Sequence, residues 1–227
     1  MIRLLLLTSF IVSLSGLVYA DEPDLSSAKK IEIWATMYYL FEAQASSDSS
    51  AVPLRNFEDK VIGPSLTPRK WCLAAIEGSV RVSGKVYNYA GTKDPRQADC
   101  SHDPSERVRW TKTNRPYGVG SKSNPLIPFK SLACDLGTVA NSKPWVDGGY
   151  AKFGQRIYIP AAKDVILPDG TKHDGIFTCD DIGGKITGNH IDVFIGSATG
   201  LRAALNSNPF DFIKSSPGET FDSYLLP

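Results

Sequence analysis

The sequence lacks an excess of charge of either sign, since 25 Lys and Arg stand against 24 Asp and Glu in 227 residues. A formal net charge of +1 leaves no basic surplus to neutralise phosphates, which argues against nucleic acid as the main partner. Beyond residue 20 there is no apolar run of the ~20 residues that a membrane-spanning helix needs. Disorder is not indicated either, because hydrophobic residues make up an ordinary 42% of the chain.

Cysteine and histidine are also scarce. The four cysteines are Cys72, Cys100, Cys134 and Cys179. They show no C-x-x-C or Cys/His spacing of the kind that binds zinc, so we expect neither a metal nor a cofactor. A catalytic thiol is a weak hypothesis, because only three histidines are present to partner it. In an oxidising compartment the even number favours two disulfides in one of three connectivities; reduced, buried cysteines are the alternative.

The first twenty residues form a separate unit. Arg3 gives a positive start, an apolar stretch follows, and small residues at −3 and −1 fit cleavage before Asp21. This pattern predicts a signal peptide over residues 1–20 and an exported protein, periplasmic or extracellular, with a mature chain of 21–227. A membrane anchor is the alternative, but the stretch is short and several Thr and Ser residues interrupt it.

The mature chain has the features of a β protein. Nineteen Gly and fifteen Pro separate short runs of β-branched and aromatic residues. We predict strands at residues 31–41, 79–82, 86–89, 153–160, 175–181 and 190–195. The polar stretch at about 92–124 is too long for an ordinary connection, so we expect an insertion that is functional or held by Cys100. In the last strand, alternation places Ile191 and Val193 towards the core and Asp192 on the opposite face.

The densest pattern runs from Cys179 to Phe194 and reads CDDIGGKITGNHIDVF. It closely resembles the signature of the three-aspartate (3D) domain family, which includes lytic transglycosylases of the membrane-bound A type and cell-wall enzymes of the stationary-phase survival type. The family's further aspartate corresponds to Asp135, and its opening Ala-Thr-x-Tyr strand to residues 35–38. Two positions depart from the pattern: the basic residue of the glycine loop is Lys185, and the usual Arg before Ile-Asp is His190.

The resemblance implies an all-β fold: a six-stranded double-psi β-barrel with long loop insertions and few short helices, as a single domain over residues 21–227. It also implies an exported lytic transglycosylase that cleaves the MurNAc–GlcNAc β-1,4 bond of peptidoglycan and forms 1,6-anhydroMurNAc. Asp181 would be the single acid/base, first protonating the glycosidic oxygen and then accepting the proton of the C6 hydroxyl. Asp135 and Asp192 would be supporting carboxylates. The implied substrate-binding residues are Gly183, Gly184, Lys185 and Asp180.

Other interpretations remain open. A non-catalytic, expansin-like glycan-binding barrel or a secreted interaction protein would use the same scaffold, and the gathered aspartates suit a hard cation such as calcium. Asp192 has a structural alternative, in which it accepts backbone N–H bonds that hold the glycine loop. We expect His190 at the barrel rim, His173 in an exposed turn, and a monomer. Three tryptophans are candidates for sugar stacking, with core packing as the alternative: Trp71, Trp110 and Trp145.

Overall fold

The computed structural model describes residues 22–101, 105–145, 149–213 and 216–227. The predicted signal peptide at residues 1–20 lies outside the described residues. In the described part of the chain, the strands are β1 (Lys29–Ala43), β2 (Val52–Arg55), β3 (Val61–Leu66), β4 (Ser79–Val82), β5 (Lys85–Thr92), β6 (Val108–Thr113), β7 (Ser131–Ala133), β8 (Arg156–Tyr158), β9 (Ile176–Asp181), β10 (His190–Ala198) and β11 (Phe221–Leu225). The α-helices are α1 (Pro68–Glu77) and α2 (Leu201–Ser207), and three single-turn 3-10 helices are also present in this part of the chain. Within the same ranges, no helix has the length and apolar character to cross a membrane.

Nine of these strands form one large mixed sheet, so the mostly β fold is confirmed. Six of the nine pair in a closed cycle: their order is β10–β7–β9–β8–β11–β1, and β1 pairs a second time with β10. The β1–β10 and β7–β9 pairs are parallel, and the other four pairs are antiparallel. Ile191 and Val193 are fully buried in the main core, as predicted from their alternation.

Strand β1 is long and pairs with strands in two parts of the sheet. Lys29–Ile33 pair with β11, and the residues from Trp34 to Phe41 run beside β10. Phe41 also begins the parallel pairing with β4, which continues to Ala43. From β4 the sheet continues outwards through β5 and β6. The β2–β3 hairpin and α1 lie in the same interval of the chain, between the cycle strands β1 and β7. A second small core of Leu40, Val86, Leu126 and Phe194 lies between these two parts.

The long polar stretch at 92–124 is more regular than its composition indicates. It contains β6, which pairs antiparallel to β5 and buries Trp110. Cys100 forms a disulfide with Cys72 of α1, and this bond ties the stretch to the helix. The second disulfide joins Cys134, directly after β7, to Cys179 in β9. Trp110 packs edge to face on Trp71 in the core, so neither ring is available to a sugar.

His173 corrects one expectation, because it is buried rather than exposed. The residue is 2% exposed, and its ring packs against Phe177. Nδ1 accepts the Gly175 N–H at 2.8 Å, and Nε2 therefore donates to the Phe129 carbonyl oxygen at 2.6 Å. Burial lowers the pKa of His173 to about 4, so the ring is neutral and structural. Its turn-like sequence context gave no sign that Phe210 packs against it.

Candidate active site

The parallel pairing of β1 with β10 sets two rows of side chains against each other. The register pairs are Trp34 with His190, Thr36 with Asp192, and Tyr38 with Phe194. Because alternate residues of a strand share a face, these six side chains lie on the face opposite Ile191 and Val193. The Trp34 and His190 rings stack, with their centroids 3.5 Å apart and their planes at 7°. The ring centroids of Tyr38 and Phe194 are 5.1 Å apart. The middle pair is a hydrogen bond, from the Thr36 hydroxyl to Asp192 Oδ1 at 2.8 Å.

Asp192 and Asp181 are brought together by the strand order. Asp192 is in register with Ala133 of β7, and Ala133 is in register with Asp181 of β9. Two strand spacings separate the backbones of the two aspartates by roughly 10 Å. Both side chains are partly buried and reach the surface. The pair therefore lies across β7 at one end of the cycle.

The environment of Asp192 favours the protonated acid. Burial raises the pKa of Asp192 to about 8, and repulsion from Glu77 and Asp181 adds to the increase. Among the described residues, Thr36 supplies the one hydrogen bond to this carboxyl group, and that bond opposes the increase only in part. At neutral pH, Asp192 accordingly holds its proton.

Asp181 is different because it accepts several hydrogen bonds. Its Oδ1 accepts the Ser121 N–H at 3.0 Å, the Ser121 hydroxyl at 3.2 Å and the Ile182 N–H at 2.8 Å. Its Oδ2 accepts the Tyr38 hydroxyl at 3.3 Å. Burial raises the pKa of Asp181 to about 6, and these donors limit the increase. The pKa values of the two carboxyl groups therefore differ, so that at pH 7 Asp181 is mostly ionised and Asp192 is mostly protonated.

Two of the four hydrogen bonds to Asp181 come from Ser121, which lies near the end of the polar stretch, in the segment 118–124. A Cβ on Gly120 would lie 2.6 Å from the carbonyl oxygen of Asp180 and 2.9 Å from Cγ of Asp181, so only glycine allows this close approach. The Asn124 amide donates to Asp180 Oδ1 at 2.6 Å, and the Ser131 hydroxyl donates to Oδ2 at 2.7 Å. Asp180 is buried, which raises its pKa, and it holds this loop in place.

Asp135 lies near the same end of the sheet, but both of its carboxylate oxygens accept hydrogen bonds from backbone N–H groups. Oδ1 accepts the N–H of Gly137, and Oδ2 accepts those of Lys143 and Gly188. Burial opposes ionisation, yet these bonds outweigh it and lower the pKa of Asp135. The carboxylate therefore fixes two loops, one of which is the glycine loop. Trp145 packs here as well, and its indole N–H donates to the Asp135 carbonyl oxygen at 3.1 Å.

The glycine loop presents little side-chain bulk. A Cβ on Gly183 would lie 2.5 Å from Cγ1 of Ile186, so this glycine serves packing within the loop. Gly184 is exposed with open space around its Cα, and Lys185 is exposed beside it. Of the four predicted substrate-binding residues, Gly184 and Lys185 are thus the two most accessible to a ligand.

Several residues of the site were not identified from the sequence. Trp34, Thr36 and Tyr38 share one face of β1, and Thr36 and Tyr38 belong to the Ala-Thr-x-Tyr segment at residues 35–38, which the resemblance identified as a strand and not as part of the site. Glu77 and Ser121 have no signal in the sequence, since α1 and the 118–124 loop reach the site only through the fold. Glu77 accepts the Tyr39 N–H at 3.1 Å, and burial raises its pKa to about 7. Within the described residues, no group of three or more His, Cys, Asp or Glu side chains is arranged to hold a metal ion.

Comparison with known proteins agrees with the resemblance seen in the motif. Residues 145–204 match the family model of the 3D domain, which confirms the resemblance and includes both Asp181 and Asp192. E. coli MltA with bound chitohexaose is similar in structure, with a TM-score of 0.56 and 14% identity over 88% of this chain and 75% of that one. A membrane-bound lytic murein transglycosylase from Agrobacterium tumefaciens gives 0.54 and 15%, over 88% and 76%. No curated protein matches by sequence.

Proposed function

We propose that this chain, which carries a 3D domain over residues 145–204, is an exported lytic transglycosylase that cleaves peptidoglycan glycan strands. The observation that carries the proposal is the pair Asp181 and Asp192, two partly buried carboxyl groups with separated pKa values at one rim of the sheet. The similar structures are lytic transglycosylases, one with a bound chitohexaose, and a glycan substrate is consistent with that likeness.

The reaction needs a group that is first an acid and then a base. It protonates the oxygen of the MurNAc–GlcNAc bond, and the resulting carboxylate accepts the proton of the C6 hydroxyl as that oxygen closes the 1,6-anhydro ring. The C1–O bond to the leaving sugar breaks, and no water is consumed. One carboxyl group with a pKa near the working pH performs both transfers.

Of the two candidates, Asp192 has the better chemistry for this role. Its pKa of about 8 keeps the proton in place at neutral pH, and its single hydrogen bond leaves Oδ2 free to approach a substrate oxygen. Asp181, the residue that the motif resemblance favours, is mostly ionised at pH 7 and has donors on both oxygens. We assign proton transfer to Asp192 and electrostatic stabilisation of the developing positive charge at C1 to Asp181.

The proposal includes the finer features that the resemblance implies. The closed cycle of six strands with two parallel pairs supports a double-psi β-barrel. We propose further that the protein is exported and that the segment at residues 1–20 is cleaved. The remaining residues, 21–227, would form a single domain with an insertion at about 92–124, and this domain would act on peptidoglycan as a monomer. Gly184 and Lys185 would lie against the glycan, whereas Asp135 and Asp180 hold the loops around it.

Digestion of purified sacculi followed by mass spectrometry tests the function. We expect soluble muropeptides that end in 1,6-anhydroMurNAc. Products with a reducing end would instead indicate a hydrolase, and retention on sacculi without soluble products would indicate the non-catalytic glycan-binding alternative. Either result contradicts the proposal.

Two matched substitutions test the division of roles. Asp192→Asn should lower the rate of anhydro product formation by about 10³-fold, the size of a general-acid contribution. Asp181→Asn should lower it by about 100-fold, as for one electrostatic group. Asp211→Asn, at an exposed aspartate, is the control. If Asp192→Asn stays active while Asp181→Asn does not, the acid/base role belongs to Asp181.

A further inference from the structure

Two aromatic pairs flank Asp192 on the same face of the sheet, and they differ in what surrounds them. Phe194 is fully buried in the second small core, and Tyr38 packs against that core. Trp34 and His190 lie on the other side of Asp192, where β10 begins. Trp34 is partly exposed and belongs to neither hydrophobic cluster of the described residues. This side of the site therefore has an aromatic ring that the core does not use.

Trp34 is unlike the other three tryptophans of the chain. Trp71 and Trp110 lie inside the main core, and Trp145 packs against it. Trp34 stacks on His190 instead, and among the described residues no second ring or cation packs on its indole. Removing an indole from water stabilises a protein, so an indole that stays partly in water beside a polar site is a candidate contact for a ligand.

The stack with His190 fixes the plane of the Trp34 ring. The two ring planes differ by only 7°, and their centroids are 3.5 Å apart. His190 is itself held in place: the Thr36 hydroxyl donates its proton to Asp192 and therefore accepts the Nε2–H of the imidazole, at 2.8 Å. The backbone is fixed as well, because the Trp34 N–H donates to the Asn189 carbonyl oxygen at 3.1 Å. The second face of the indole is thus positioned before a ligand binds, which lowers the ordering cost of binding.

The position and the charge of this ring pair suit one unit of a sugar chain. Trp34 and Thr36 are two residues apart on β1, so the indole lies roughly 7 Å along the strand from the Thr36–Asp192 pair, a separation on the scale of a pyranose ring. The pair has no charge at neutral pH, because burial lowers the pKa of His190 to about 4. An uncharged flat ring suits the apolar C–H face of a pyranose better than it suits the carboxylates of a peptide stem.

We propose that Trp34, backed by His190, is a platform on which one N-acetylhexosamine ring of the glycan stacks, so that the adjoining glycosidic bond lies at Asp192. The proposal rests on the proposed function, because it places a sugar of that substrate. Trp34 binds and positions the sugar through its indole face and takes no part in the transfer of the proton. Its contribution is therefore measurable as binding, without turnover.

Proton NMR of chitohexaose in the presence of the protein tests the stacking directly. Chitohexaose is uncharged and has no peptide stem, so it isolates the contribution of the sugar. An aromatic ring shifts protons that lie over its face upfield, and we expect such shifts for the axial ring protons of a bound sugar. The shifts should disappear with Trp34→Leu, which keeps an apolar side chain, and remain with Trp34→Tyr, which keeps a flat ring.

The affinity for chitohexaose gives the second readout. Trp34→Leu should bind about tenfold more weakly, the scale of one aromatic contact, and Trp34→Tyr should stay within about threefold of the parent. Tyr89→Ala is the matched control, because it removes an exposed aromatic ring from β5, outside this row, and should bind as the parent does. Fluorescence of the buried Trp71 and Trp110 verifies that each variant is folded. Failure of the folded parent to bind, binding without upfield shifts, or equal affinities of the parent and Trp34→Leu would each overturn the proposal.

The two proposals fail in different ways. If sacculi yield anhydro products but chitohexaose does not stack on Trp34, the function stands and the platform is wrong. If chitohexaose stacks on Trp34 but sacculi yield no anhydro products, the platform belongs to a glycan-binding protein and the lytic activity is wrong.

Discussion

Replacing Asp192 by Asn should stabilise the protein, and more so as the pH rises. The burial that raises the pKa of Asp192 from 3.8 to about 8 makes the folded state bind this proton more tightly than the unfolded chain does. The favourable contribution of a raised carboxyl pKa is complete below the unfolded value and is lost as pH rises through the folded value. The window of loss is therefore about pH 4 to pH 8, and the neutral Asn does not undergo it.

The size of the effect follows from the same pKa difference. About four pKa units correspond to a ceiling of about 6 kcal/mol in the free energy of unfolding at alkaline pH. The Asn side chain must share Thr36 and fit among groups arranged for an acid, which costs about 1–3 kcal/mol at any pH. We therefore expect the difference between variant and parent to grow by at least about 2 kcal/mol from pH 5 to pH 9.

Urea unfolding followed by tryptophan fluorescence measures this difference, with the disulfides kept intact. The comparison is made at pH 5, 7 and 9 for the parent, Asp192→Asn and the exposed-site control Asp211→Asn. The control should follow the parent at each pH. A difference between Asp192→Asn and the parent that stays constant from pH 5 to pH 9 would refute the reasoning, since Asp192 would then titrate as an ordinary aspartate.

Three further predictions concern the groups around Asp181. Gly120→Ala places a Cβ 2.6 Å from the Asp180 carbonyl oxygen and should destabilise the fold by about 1–3 kcal/mol in urea unfolding, with a loss of activity as Ser121 moves away; wild-type activity would contradict it. Tyr38→Phe removes a donor to Asp181 and should raise its pKa further above about 6, which moves the acid limb of kcat/KM to higher pH; an unmoved limb argues against this contact. Replacing Cys134 and Cys179 by Ser frees two residues 45 apart in sequence and should lower the free energy of unfolding by about 4 kcal/mol, whereas a loss under 1 kcal/mol would show that the bond contributes little.

The motif at 179–194 was the most informative part of the sequence, because its residues are local. The alternation of β10 predicts which face of the strand carries Asp192, and the structure has Ile191 and Val193 in the core as expected. The partners of the aspartates could not be predicted in the same way. Thr36 is 156 residues from Asp192, and Ser121 is 60 residues from Asp181. Such contacts depend on strand order and loop path, which no spacing in the sequence records.

Helix α1 was missed although its signals are present. Pro68 at the first turn and Gly78 with φ of 73° frame ten residues, and Trp71, Ala74 and Ala75 recur at helical spacing. Strand β6 was missed because its polar composition is that of a loop, and burial of Trp110 depends on packing against α1.

The continuity of β1 bears on how the site works. Strand β1 pairs with β10 beside Asp192 at Thr36 and, from Phe41 onwards, with β4 in the outer part of the sheet, although its register with β10 shifts between Tyr38 and Leu40. A hinge between the two parts would have to break the hydrogen bonds of this strand, which makes large closing motions costly. The backbone pairing of β1 therefore holds the Asp192 site at a fixed distance from the outer part of the sheet.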